Sequence, residues 1–389
     1  MEKIRIGDAC DILNGYAFKS DRYVDDGIRI IRIANVQKGY VEDNAPVFYP
    51  INSGGLNKYM LEEGDLLMSL TGNVGRVAFL QKEMLPAALN QRVACLRLKT
   101  DRITRGFLFH ILNSDFFEQQ CIQVSNGVAQ KNMSTEWLKD YEISLYPIEE
   151  QLMITEVLDR IRNIISLRND ELSKLDTLIK ARFVEMFGDT VTNPFGWEEH
   201  RLDEYIDFLT SGSRGWAQYF VEDENELFIT IKNVKNNHIT LENIQYIETP
   251  DNKEAERTKV KSGDLLISIT ADLGRTGVVD DDIAEKGAYI NQHLSLVRLN
   301  KKKVNPLYVS YFLETEGGKM QFESKNQNGV KAGLNFDAIK SLKILVPPLE
   351  KQEAYLAFVH QVDKSKIAVQ KSLDEMQLLY NSLMQKYFG

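Results

Sequence analysis

The sequence predicts an α+β fold repeated in tandem: two similar mixed domains, each closed by one long helix. Three observations carry this. First, Ile154, Leu158, Ile161, Ile165, Arg168, Leu172, Leu175, Ile179, Arg182 and Met186 alternate at spacings of four and three, an a/d seam that buries a narrow stripe against another long helix. Second, the seam returns 201 positions later as Tyr355, Val359, Val362, Lys366, Val369, Leu373, Met376, Tyr380, Leu383 and Tyr387, and both copies end on Phe-Gly. Third, the segments before each helix match. Arg29–Val36 reads like Leu227–Val234, Leu61–Thr71 like Val260–Thr270, Leu89–Leu98 like Ile290–Leu299, and Asn126-Gly-Val128 like Asn328-Gly-Val330.

The divisions follow: a first domain over 1–147, a helix over 148–188, a second domain over 189–348 that opens with a linker at 189–197, and a closing helix over 349–389. Within a copy, Gly64-Asp65 and Gly263-Asp264 each open an apolar strand, Leu66–Leu70 and Leu265–Ile269. Gly106–Leu112 and Leu307–Leu313 read as helical. Short capped helices follow near Ser134–Leu138 and Asn335–Ile339. Last strands at Tyr141–Tyr146 and Leu342–Val346 lead through proline into the long helices. Helix one enters domain two, and helix two must turn back to bury its seam, so the pair is expected to be antiparallel with a pseudo-two-fold axis. At ~1.5 Å per residue each helix spans about 55 Å, which would hold the domains ~50 Å apart. Arg168 and Lys366 interrupt the apolar seam in one copy only, as register-setting residues do.

Composition narrows the function. The 389 residues are 43% hydrophobic and 26% charged, ordinary for a globular protein of two or three domains. Met1–Asp8 holds no apolar signal core, no run approaches a ~20-residue membrane span, and Cys10, Cys95 and Cys121 form no Cys-x-x-Cys pair. A reduced, cytoplasmic setting without disulfide, metal or membrane follows. The net charge of −9 runs against simple coating of nucleic acid, so any DNA contact must rest on local patches or on charge borrowed from a partner. No Walker loop, His-Glu-x-x-His or Gly-x-Ser-x-Gly is present, and Asn193-Pro-Phe195 reads as a linker turn. No catalytic residue is assigned.

Candidate contacts lie in the loops. Thr71-Gly72-Asn73-Val-Gly-Arg76 and Thr270–Arg275 each follow a strand and end in arginine, so they form either a phosphate clasp or a plain hairpin turn. Asn90-Gln91-Arg92 and Asn291-Gln292-His293 either pair with base edges or close a strand end through side-chain-to-backbone bonds. Arg92 and His293 are counterparts, a difference that argues against a catalytic or metal role for His293. Lys232 precedes the repeated Asn-Val pair and stands where the first copy has Ala34. Two loops diverge between copies. Tyr16–Arg22, with Lys19 and Arg22, stands against Ser211–Gln218, with Arg214 and Trp216; Gln130-Lys131-Asn132 stands against Lys331-Ala-Gly333. One scaffold carrying unlike polar loops suits the reading of two unlike sequences.

The arrangement resembles the specificity subunits of Type I restriction–modification systems. The resemblance rests on Pro147-Ile-Glu-Glu-Gln151 and Pro348-Leu-Glu-Lys-Gln352 before the helices, on the repeated Gly-Asp-Leu-Leu and Asn-Gln motifs, and on Phe187-Gly-Asp189 running into Asn193–Trp197. It implies two target recognition domains, each reading half of a bipartite duplex DNA site, with the helices setting a gap of roughly 15 base pairs between domain centres at ~3.4 Å per pair. It further implies a chain without catalysis or cofactor of its own. Two modification subunits would bring S-adenosylmethionine, and restriction subunits would bring ATP and magnesium, docking on the helices and adjoining surfaces. Runner-up readings are a specificity component of a related enzyme outside Type I, a protein-only coiled-coil adaptor and a self-sufficient methyltransferase; the last lacks a Gly-rich cofactor loop.

Overall fold

The computed structural model describes residues 2–125, 133–222, 224–325 and 333–389. The chain packs as two compact units: Met1–Asp170 with Val369–Gly389, and Glu171–Ala368. The long helices, Ile148–Phe187 and Leu349–Phe388, therefore belong partly to each unit.

In unit 1, Cys10–Asn14, Val93–Leu98, Leu66–Ser69 and Val77–Phe79 form a four-stranded sheet, paired antiparallel in that order. A second sheet joins Phe48–Tyr49, Ile28–Ile31 and Ala87–Leu89, the last two running parallel. Glu2–Arg5 pairs with Glu142–Leu145 just before the long helix. Unit 2 repeats the plan. Its main sheet has six strands because the hairpin Val234–Lys235/Asn237–Ile239 joins its edge through Thr276–Val278. The smaller sheet again contains one parallel pair, Leu227–Ile229 with Ala288–Ile290.

The expected elements appear within a residue or two of their sequence positions. Ser134 accepts from the Trp137 amide and Asn335 from the Ala338 amide, so both short helices carry the anticipated caps. Helices at Asp115–Ser125, Glu316–Lys325, Lys253–Thr258 and Asp281–Lys286 were not foreseen.

Each seam is buried or half-buried along its whole length, in order of the pattern. In unit 1, Ile154, Leu158 and Ile161 from the start of the first helix bury against the core of the mixed domain, while Met384, Tyr380 and Leu383 from the end of the second join the same cluster. In unit 2, Ile179 and Phe183 meet Tyr355, Val359 and Val362. End packs on start in both units, so the helices run antiparallel. Ile165, Leu172, Leu175 and Met376 are half-buried, as is Leu373, and Val369 is 8% exposed. Lys366 fits its half-buried seam position by pairing with Asp176 at 2.6 Å.

The repeated polar residues hold this scaffold. Gln151 and Gln352 are fully buried. Their Oε1 atoms accept from the Thr104 and Asn305 amides at 2.8 and 2.9 Å, and their Nε2 atoms donate to the Tyr146 and Pro347 carbonyls. Each ties the start of a long helix to the start of the helix that packs beneath it. Asp65 and Asp264 accept bidentate bonds from Arg97 and Arg298, at 2.6 to 2.8 Å, plus one backbone amide each. Cys10, Cys95 and Cys121 are free and buried, and burial pushes the Cys10 and Cys121 thiols up to about 12.

Candidate nucleic-acid interface

Three loops of each unit converge on one edge. In unit 1 the Gln91 amide donates to the Tyr16 carbonyl at 3.0 Å, and the Leu70 amide to the Arg92 carbonyl at 3.0 Å. These bonds bring the divergent loop at 15–22, the turn at 71–76 and Asn90–Arg92 together. Unit 2 repeats both bonds, Gln292 to Ser213 and Ile269 to His293. The contact is tight: a Cβ on Gly15 would lie 2.2 Å from the Asn90 carbonyl, and one on Gly212 2.0 Å from that of Asn291. Only glycine lets the chains pass this closely.

Asn90 and Asn291 spend their side-chain oxygens inside the turn, accepting from the amides two residues on at 3.2 and 3.1 Å. They close the strand end, the second of the two readings their motif left open, while Gln91 and Arg92 stay exposed. In unit 2 a hydrogen-bonded chain crosses the loops: Arg214 Nε donates to Gln292 Oε1, Gln292 lies 3.2 Å from His293 Nε2, and His293 Nδ1 meets Thr270 Oγ1 at 2.7 Å. Arg214 remains exposed.

The glycine turns are organised by one serine each. Ser69 Oγ receives the Arg76 amide at 3.1 Å and donates to the Asn73 carbonyl; Ser268 does the same for Arg275 and Asp272. Those arginine amides are therefore spent within the turn. Gly72 and Asn73 are exposed at its tip. Arg76 Nη1 donates to Gln37 at 2.6 Å, whereas the exposed Arg275 pairs with Asp272 at 2.7 Å, a surface bridge that a phosphate can displace.

Lys19, Arg22 and Lys232 are exposed, and among the described residues none of them has an acidic partner. Lys131 and Lys331 lie outside the described residues. Trp216 requires a correction. It is 4% exposed, stacked on Phe228 at 5.9 Å and tilted against Tyr289 at 5.7 Å, so its indole is core and offers no face to a ligand. A tryptophan in a polar loop looked like a surface residue because Phe228 and Tyr289, which pack against its indole, lie outside that loop.

One component escaped sequence reasoning. Asn57–Tyr59 in unit 1 and Lys253–Thr258 in unit 2 pack behind the divergent loops, through Tyr59 on Tyr16 at 5.2 Å and Thr258 on Ser213 at 3.2 Å. Met60 and Lys259 both bridge to the strand before Asn90 and Asn291, which marks the two segments as counterparts. Their unlike lengths hid the correspondence.

The family model for the Type I restriction modification DNA specificity domain matches residues 1–177 and again 194–376. The chain belongs to this family. The two matches coincide with the two copies of the repeat. Among relatives, the specificity subunit of the Type I restriction enzyme EcoBI from Escherichia coli is 23% identical over 411 residues, covering 98% of this chain and 83% of the relative. The EcoAI specificity subunit, also from Escherichia coli, is 32% identical over 186 residues, 46% of this chain and 30% of its own. The fold is shared with the crystal structure of a Type I restriction–modification S subunit from M. genitalium (TM-score 0.62, 14% identity, 100% of this chain and 96% of the other). A chain from the structural study of complex assembly and conformational transition of the Type I system also aligns, with TM-score 0.56, 19% identity and coverage of 100% and 97%.

Proposed function

We propose that this chain is the non-catalytic DNA-recognition subunit of a Type I restriction–modification enzyme, each unit reading one half of a bipartite site. The observation that carries the reading is a family match made twice, over two copies that share their buried polar braces but differ in their exposed loops. Exposed Lys19, Arg22, Gly72, Asn73, Gln91, Arg92, Arg214, Lys232 and Arg275 would meet phosphates and base edges, with Gln292 and His293 held behind Arg214. The helix pair would fix the number of base pairs between the half-sites.

Two modification subunits would dock on the helices. In support, Met153, Val157, Ile164 and Leu167 of the first helix are 59, 44, 39 and 66% exposed, each one place before a seam position. That is a second apolar stripe at heptad spacing, suited to a further helix. These partners would supply S-adenosylmethionine binding, and restriction subunits would bring ATP and magnesium. A cytoplasmic setting goes with that assembly, and among the described residues no helix is long and apolar enough to cross a membrane.

The test is co-expression with the modification subunits followed by methylation sequencing. The expected result is adenine methylation in a motif of two specified halves around an unspecified gap. One undivided motif would overturn the reading.

A further inference from the structure

In unit 1 four aromatic rings stand in a row, with a cation at each end. Tyr59 contacts Tyr16 at 5.2 Å, Tyr16 contacts Phe18 at 5.0 Å, and Phe18 contacts Tyr49 at 5.0 Å. The Lys58 ammonium sits 5.0 Å from the centre of the Tyr59 ring, and the Arg22 guanidinium 5.0 Å from that of Tyr49. Tyr49 is 2% exposed and anchors the row in a core that includes Ile28, Ile30 and Leu56. The row is therefore a rigid support, and both cations are exposed on it.

Neither cation has an acidic partner among the described residues. Glu62, the acidic residue nearest Lys58 along the chain, is turned to Arg97 at 3.4 Å. Unit 2 resolves the same place differently. Arg257, the counterpart of Lys58 by the register of Met60 and Lys259, donates to the Thr210 hydroxyl and to the Ser211 carbonyl at 2.7 Å. Lys259 lies over Tyr289 but pairs with Glu226 at 3.6 Å. An unpaired ammonium held on a ring beside the loop edge is suited to an anion. The anion that a duplex presents all along its length is backbone phosphate, which a compact ammonium point charge meets in any sequence.

We propose that Lys58 is a phosphate contact of the first recognition unit, gripping the duplex together with Arg22 from opposite ends of the ring row. This rests on the recognition function proposed above. A Lys-to-phosphate contact releases counterions, so it contributes ~0.9 to the slope of log affinity against log salt. Unit 2 has no equivalent free cation at that position, so the effect belongs to the first half-site alone.

The test uses the full chain assembled with its modification subunits and a duplex carrying the mapped methylation site, with affinity measured from 50 to 200 mM KCl. Lys58→Ala should bind more weakly and lower the slope by ~0.9, so that it loses about 3.5-fold less affinity than wild type across that range. Lys58→Arg should restore the slope, and the methylated sequence should stay the same for both. Lys58→Ala with a lowered melting temperature but wild-type slope would overturn the proposal, since a merely structural lysine behaves that way. So would wild-type affinity and slope together. A wild-type complex that binds no duplex would remove the recognition reading and this inference with it, whereas a binding wild type matched by Lys58→Ala removes the inference only.

Discussion

Replacing Asp264 with alanine should destabilise unit 2 by about 3 kcal/mol while leaving the recognised DNA sequence alone. Asp264 is 1% exposed and accepts three bonds: Arg298 Nε at 2.7 Å, Arg298 Nη2 at 2.6 Å and the Lys261 amide at 2.7 Å. Breaking a buried pair by removing one partner costs roughly 3–5 kcal/mol, because the remaining charge is stranded. The Arg298 side chain is 26% exposed and also stacks on Phe208, so partial hydration places the loss near the lower end. For a unit of this size that corresponds to a melting temperature lower by roughly 6–12 °C. The sign of the coupling is a sharper test. Asp264→Ala with Arg298→Met removes both charges and should recover part of the loss, so the double variant must be more stable than the sum of the singles predicts. Urea titrations of the four proteins decide it. A loss below about 1 kcal/mol for Asp264→Ala, or strict additivity, would refute the stranded-charge argument.

Gln352→Leu should cost about 2 kcal/mol in the same assay, because the Asn305 amide and the Pro347 carbonyl lose their buried partner. Arg275→Ala should lower the salt slope of DNA binding by the assembled complex by ~0.9, whereas Arg76→Ala, whose guanidinium is held by Gln37, should change the slope by less than half of that. His200 is held above its ordinary range first by its bond to Glu204 and then by Glu198. Its folded value exceeds the unfolded one, so the stabilisation is complete below about 6.5 and lost as pH rises through the folded value. An NMR titration should show a raised midpoint that falls in Glu204→Gln; an unshifted wild-type midpoint would contradict the assignment. Inserting one heptad into both long helices adds about 10.5 Å and should lengthen the unspecified gap of the methylated motif by about three base pairs. An unchanged gap would separate helix length from spacing.

The scaffold was legible because its signals are local and occur twice. The a/d stripe needs only the spacing of Leu158, Ile161 and Ile179, and the short helices need only Ser134 and Asn335 at their caps. What each repeated polar residue does was not legible, because its partner lies far along the chain. Asp264 needs Arg298, and Gln352 needs Asn305. Repetition alone could not show which shared residues brace the scaffold. The structure shows that Asp65, Asp264, Gln151, Gln352 and the oxygens of Asn90 and Asn291 do. Lys19, Arg22, Arg92 and Arg214 stand exposed at the loop edge. Lys58 was missed since its segment is a three-residue turn in one copy and a six-residue helix in the other.

Independent reading by the two units is tested most directly by exchange. Residues 1–147 are replaced with the corresponding segment of a family member of different specificity, and the methylation motif is sequenced in cells that also carry the modification subunits. One half of the motif should change to the donor's, with the other half and the gap retained. A motif altered in both halves would contradict the account.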